Sequence, residues 1–318
     1  MSDVSAADVA ERISANVQRV VRGKPELVRL VVAALLAEGH ILVEDVPGLG
    51  KTTLARCLAR SIGGVSSRIQ FTPDLLPGDI TGVTVYQQKD ERFTFHPGGV
   101  FANVVVADEI NRGTPKTQSA LLEVMSERRV TVDSVAHEVP RPFLVIATQN
   151  PIEMEGTYRL PEAQLDRFLV RLSVGYPDLA SEVRVILDGR TGVSVDDLPA
   201  VVDPATLLDA IGQVRSAHVD QAVCEYAVRL AAATRQHPAV RFGASVRGSI
   251  ALVRTAQALS AIDRRAFVTP DDIKSVAVPV LAHRLVLTPE AELSRQGTAE
   301  IVAEVLAATP VPVSVGGR

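Results

Sequence analysis

Apolar residues along the first 175 positions fall into two textures: short unbroken runs, and longer stretches spaced like one face of a helix. Residues 25–39 place Leu27, Val28, Val31, Leu35 and Leu36 on a shared helical face, with Pro25 in the first turn. The run HILVEDV (40–46) follows and turns at Pro47-Gly48. After a Gly-rich turn, TTLARCLARSI sets Leu54, Cys57, Leu58 and Ile62 at helical spacing, so the predicted order is strand, loop, helix. SRIQF (67–71), NVVVADE (103–109), FLVIATQN (143–150) and FLVRLSV (168–174) read as further strands, and Thr114-Pro115 opens a helix that runs through Met125. Strands this apolar, with no in–out alternation, imply a parallel sheet covered on both faces. VTVYQQKDERFTFH (83–96) instead has β-rich halves around the polar QQKDER, which predicts a hairpin, and RRVTVDSVAHEVP (128–140) reads as a second.

Beyond Tyr176 the texture changes. Asp203-Pro204, Thr269-Pro270 and Thr288-Pro289 each put a capping side chain before a first-turn proline, and Ala/Val/Leu-rich helical patterns lie between them without convincing strands. The predicted organisation is an α/β core over residues 1–175, an all-helical domain over 176–308, and a loose Pro/Gly-rich tail over 309–318.

Composition narrows the partners. The chain has 318 residues, 47% apolar, with net charge −4, so no global positive field favours nucleic acid. The two cysteines, Cys57 and Cys224, lack ligand spacing and read as reduced core thiols; the six histidines form no metal motif. The N-terminus has no basic and apolar leader pattern, and the longest apolar run, Leu30 to Ala37, is too short to cross a bilayer. A soluble, cytoplasmic chain with no membrane span is expected.

Candidate chemistry sits at the ends of the apolar strands. Pro47, Gly48, Leu49, Gly50, Lys51, Thr52 and Thr53 resemble a phosphate-binding loop, in which backbone N–H groups and a helix N-terminus form an anion nest. Lys51 would reach the β- and γ-phosphates and the Thr52 hydroxyl would bind Mg²⁺. The strict pattern wants glycine where this chain has Asp45, a residue that tolerates turn geometry. Asp108 and Glu109 end another apolar run, a costly placement unless a cation or water needs them. In a phosphate-loop enzyme the first carboxylate orders Mg²⁺ and the second orients the attacking water. Asn150 offers a neutral amide for water or γ-phosphate, or simply forms a turn before Pro151. Arg167 and Arg247, taken singly, are surface charges or planar phosphate donors.

In order, PGLGKT, VVVADEINR, VIATQNP, GTYRLPEAQLDRF and FGASVRG are similar to the motifs of the MoxR family of AAA+ ATPases, over about residues 20–288. The resemblance implies a P-loop AAA+ core, a parallel sheet sandwiched by helices, with a C-terminal helical lid, ATP and Mg²⁺ as cofactors, and a homo-oligomeric ring, commonly a hexamer. By position it makes Lys51 and Thr52 the Walker A pair, Asp108 and Glu109 the Walker B pair, and Asn150 the sensor 1 residue. It makes Arg167 the arginine finger and Arg247 the sensor 2 arginine, and it matches the hairpins to the helix-2 and pre-sensor 1 inserts. Asp at position 45 is a variant of the family, whereas Val246 stands where the family often has Pro. Implied partners are client protein complexes, often with a separately encoded protein carrying a von Willebrand factor A domain. A nucleic-acid motor and the motor subunit of a metal chelatase are the alternatives. The hairpin tip, where Lys89 and Arg92 are cancelled by Asp90 and Glu91, disfavours the first.

Overall fold

The computed structural model describes residues 4–45, 49–150, 157–176, 179–180, 182–183 and 193–312. The Pro47 and Gly48 positions of the loop and the tail from residue 313 onward lie outside the described residues.

The unbroken apolar runs form one five-stranded parallel sheet. Its strands are β1 (His40–Glu44), β2 (Ser66–Gln70), β5 (Val104–Asp108), β8 (Leu144–Gln149) and β9 (Phe168–Leu172), in the order β2-β5-β8-β1-β9. The runs do not alternate because both faces are covered. Ile41, Val43, Val104, Val106, Leu144 and Ile146 point into one apolar cluster, and Leu42, Val105, Ala107, Val145 and Ala147 into another. The first cluster is closed by α1 (Ala6–Gln18), α2 (Pro25–Leu36) and α3 (Lys51–Ser61), the second by α4 (Pro77–Thr81) and α5 (Pro115–Glu127). Both hairpins form: β3 (Val83–Gln87) with β4 (Arg92–His96), and β6 (Arg129–Val132) with β7 (Val135–Glu138), each antiparallel. The short α6 (Glu162–Leu165) leads into β9.

The C-terminal part is helical, with main helices Pro204–Arg215, Gln221–Gln236, Val246–Ile262, Pro270–Leu281 and Thr298–Ala308. The caps at Asp203, Thr269 and Thr288 all accept backbone N–H bonds. One correction concerns its strands. Val240–Phe242 pairs antiparallel with Val286–Leu287, segments too short to produce a periodic signal. Cys57 is buried as expected, but Cys224 is half-exposed.

Helix α1 precedes the elements expected from the sequence, although its signature is present. Ser5 and Asp8 form a reciprocal cap, and Ala6, Val9, Ala10, Ile13 and Val17 are buried at helical spacing. The helix staples core to lid: Ala6 N–H donates to Gln213 Oε1 at 2.7 Å, and Asn16 Nδ2 donates to Ser61 Oγ and to Pro199 O, each at 3.0 Å. Lid residues Leu207, Ile211, Tyr226, Leu252 and Ile273 belong to the same apolar cluster as α1 to α3.

A second staple is ionic. The Glu38 side chain is only 1% exposed and pairs with Arg128 and Arg141, which flank the β6–β7 hairpin, and with Arg215 at the end of the first lid helix. Burial would raise its pKa, but the hydrogen bond from Arg141 and the charges of Arg128, Arg215 and Arg141 outweigh it and hold the carboxyl below its ordinary value. The neighbouring His40 is pushed down to about 4 by burial and stays neutral; its Nδ1 accepts from Val145 N–H, so Nε2 donates to Met125 O. Glu38→Ala leaves three arginines without their shared counter-ion, and the expected loss is roughly 2–4 kcal/mol, moderated because the arginines keep some water. Chemical denaturation checks this. A folded pKa below the unfolded value of about 4.3 means that Glu38's contribution is fully present above that pH and fades as pH falls below it. The gap between wild type and variant should therefore narrow in acid, and a gap that widened there would contradict the ion-pair account.

Candidate functional site

All five strands of the sheet are parallel, so their carboxyl ends share one edge, and the order β5-β8-β1 brings the candidate residues together there. The register sets Gln70 beside Asp108 and Glu44 beside Gln149. The loop leaves β1 next to β8 and enters α3 at Gly50, whose φ of 77° lies in the left-handed region that glycine adopts without strain.

Lys51 is the first residue of α3. Its Nζ donates to the carbonyl of Asp45 at 2.6 Å and to that of Gln149 at 3.2 Å, which holds the ammonium between the ends of β1 and β8. Partial burial lowers its pKa, against the opposing pull of Asp45, Asp108, Glu109 and Glu44. The Thr52 hydroxyl lies 3.0–3.1 Å from both oxygens of Asp108. A buried carboxylate beside a hydroxyl is a hard-oxygen donor set suited to Mg²⁺, which takes one or two protein ligands and completes its shell with water and phosphate.

Asp45, at the position of the missing glycine, is used for its carboxylate. Oδ2 accepts from Ser173 Oγ at 2.8 Å and from Gly175 N–H at 2.7 Å, tying the loop to the segment that leaves β9. A glycine could not make that tie.

Around Asp108 and Glu109 the structure adds residues that the sequence pattern did not single out. Arg68 Nε donates to Asp108 Oδ2 at 2.7 Å, and Thr148 Oγ1 donates to Oδ1 at 3.1 Å. Glu109 adopts φ 54°, uncommon for a residue with a side chain, and its N–H donates to Thr148 Oγ1. Its carboxylate accepts from Gln70 Nε2 and Arg112 Nη1, both at 3.0 Å. Asn150 is buried at the end of β8, and Asn111 Nδ2 donates to its carbonyl at 3.2 Å.

Arg167 and Arg247 lie elsewhere. They share a cavity of about 280 Å³ with Arg128, Arg254, Arg284 and Glu38, among other residues, and none of Lys51, Thr52, Asp108, Glu109 or Asn150 lines it. Arg167 Nη1 donates to Leu122 O, while its Nε is buried without a hydrogen-bond partner among the described residues. Lys51, Thr52, Asp108, Glu109 and Asn150 thus gather at the strand ends, while Arg167 and Arg247 line a different, arginine-rich cavity.

Comparison with known proteins bears on this arrangement. Residues 40–170 match the model of the ATPase family associated with various cellular activities (AAA), and residues 232–305 match that of the AAA lid domain. Chaperone MoxR1 of Mycobacterium tuberculosis is 44% identical over 92% of this chain and 79% of its own length. The chain belongs to the MoxR family of AAA+ ATPases. YeaC of Bacillus subtilis, itself uncharacterised, is 48% identical over 94% of this chain and 93% of its own. A crystal structure from Cytophaga hutchinsonii, described as that of a candidate ATPase, superimposes with a TM-score of 0.90 at 36% identity, covering 97% of this chain and 96% of that one. The MoxR fold, an α/β AAA+ core with a helical lid, is the one observed. No described helix is long and apolar enough to cross a membrane.

Proposed function

We propose that this MoxR protein is a Mg²⁺-dependent ATPase whose cycle remodels or activates partner proteins from within a homo-oligomeric ring. The observation that carries the reading is the convergence of Lys51, Thr52, Asp108 and Glu109 on one edge of the sheet, with the Thr52 hydroxyl 3.0 Å from Asp108. Amides at the start of α3 and the Lys51 ammonium would neutralise the triphosphate. Thr52 and Asp108 would hold Mg²⁺, which supplies charge neutralisation at the phosphates. For Glu109 to polarise the attacking water it must leave Gln70 and Arg112, and Asn150 would position that water from β8. The AAA+ core would end near residue 175, with the lid spanning 176–308.

The separation of Arg167 and Arg247 from that cradle supports a role for both in trans, reaching the γ-phosphate held by the next protomer. The surface around their cavity fits burial against a second copy. Val246 and Ile250, one turn apart on the helix that carries Arg247, are 69% and 53% exposed. For the client, a polypeptide fits best. The β3–β4 hairpin exposes Val83, Val85, Tyr86 and Phe93 with no surplus of positive charge at its tip, so strong tracking of a phosphate backbone is disfavoured. A separately encoded partner with a von Willebrand factor A domain is the adaptor this reading expects.

Glu109→Gln tests the hydrolytic step. Turnover should fall by about 10²-fold or more, while the purified variant retains ATP and not ADP, read by quantifying the bound nucleotide after rapid separation. A variant that carries ADP in wild-type proportion sinks the assignment. Stimulation of the ATPase by DNA would instead favour a nucleic-acid motor.

A further inference from the structure

Asp166 lines the same cavity as Arg167 and Arg247. It immediately precedes Arg167, and both of its carboxylate oxygens are engaged: Oδ1 accepts from Arg284 Nε at 2.9 Å and Oδ2 from Ser245 Oγ at 2.9 Å. Ser245 is the N-cap of the helix Val246–Ile262, and its Oγ in turn accepts the Arg247 N–H at 3.0 Å. Arg284 is 3% exposed and also donates to the carbonyl of Phe168 at 2.7 Å and to that of Val280. The same side chain lies under the first turn of the Arg247 helix, where a Cβ on Gly248 would sit 3.4 Å from Arg284 Cδ. One core carboxylate is therefore joined to the lid at two points, and each leads to the turn that presents Arg247.

We propose that Asp166 is a positioning residue which, through Ser245 and Arg284, clamps Arg167 of the core and Arg247 of the lid into one unit offered to the adjacent protomer's phosphate. This rests on the reading above that both arginines act in trans. The residue type follows from the geometry. Arg284 is buried and needs a counter-charge, and the Ser245 hydroxyl needs a second acceptor oxygen on the same side chain. Asparagine has a single oxygen and no charge, so it cannot satisfy both. Without these two ties the turn that carries Arg247 would lose its fixed place beside Arg167 even though α1, the apolar cluster and Glu38 still hold lid to core, and a misplacement of about 1 Å can cost roughly 10²-fold in rate.

Asp166→Asn in the full-length protein is expected to lower kcat roughly 10²-fold with little change in KM for ATP, since its own nucleotide cradle is intact. The distinguishing readout is subunit mixing. Lys51→Ala protomers lack the cradle but keep their arginines, so mixing them with Asp166→Asn protomers should restore ATPase activity that neither has alone. Ser245→Ala, which removes one tie and leaves the buried ion pair whole, should behave the same way and covers the case in which Asp166→Asn does not fold. Wild-type kcat in a folded variant overturns the inference. So does failure to recover on mixing, if Arg167→Ala protomers mixed with Lys51→Ala do recover. Failure of the Arg167→Ala mixture overturns the trans reading and this inference with it.

Discussion

Arg167→Ala is expected to reduce ATP turnover about 10³-fold or more while leaving nucleotide affinity of the protomer near wild type. The physical basis is the distance between roles. Arg167 lines a cavity shared with Arg247, Arg254 and Arg284, and none of the described cradle residues lines that cavity. On the proposed trans role, removing it would take nothing from the cradle in which its own subunit would hold ATP, but would take a planar, permanently charged donor from the site next door. Among the described residues its buried Nε has no hydrogen-bond partner, a condition that costs about 1–3 kcal/mol and that an arriving phosphate oxygen would relieve. Steady-state ATPase rates alongside equilibrium binding of a fluorescent ATP analogue, on material of verified oligomeric state, check this. A matching rate in wild type and variant would remove Arg167 from the mechanism, and a large loss of affinity would place it in its own subunit's site.

Lys51→Ala carries the second large effect, on binding. The ammonium already bridges the carbonyls of Asp45 and Gln149, so it is held where the loop, β1 and β8 meet and pays little ordering entropy on meeting a phosphate. Removing the charged partner of a phosphate from this partly buried position is expected to cost about 3 kcal/mol, or roughly 10²-fold in Kd. Titration calorimetry with ATP and Mg²⁺ measures it. Unchanged affinity would contradict the loop as a phosphate cradle, and with it the proposed activity.

These two variants also separate what was legible in the chain from what was not. Local order was legible because it depends on near neighbours. The apolar runs at 40–46, 103–109, 143–150 and 168–174 correspond to β1, β5, β8 and β9, and both hairpins turn where their polar centres lie. The residues proposed for the cradle stand out in the sequence for the same reason, since each closes or follows an apolar strand. The arginine cluster was not. Arg254, Arg284 and Glu38 look like ordinary charges in helical or turn sequence, and only the docking of lid on core gathers them about Arg167. Arg68 and Gln70 were equally hidden: on β2 they alternate with buried Ile69, and their partners, Asp108 and Glu109, are set by strand pairing 39 or 40 residues away. Helix α1 had a readable capping box and apolar stripe, but the partners of that stripe lie mainly in α2, α3 and the lid.

By itself, the order of residues determined the sheet's strands, the capped helices and a phosphate-loop pattern at 47–53, because backbone preference, burial period and capping act over a few residues. Tertiary structure alone decided that Asp45 serves as a tie to Ser173 and Gly175. It also decided that Arg167 and Arg247 line one cavity that Lys51 does not, and that a single buried carboxylate at Glu38 holds hairpin and lid together. Such contacts join groups far apart in the chain, and no local pattern encodes which distant charge will neutralise another until the apolar faces have packed.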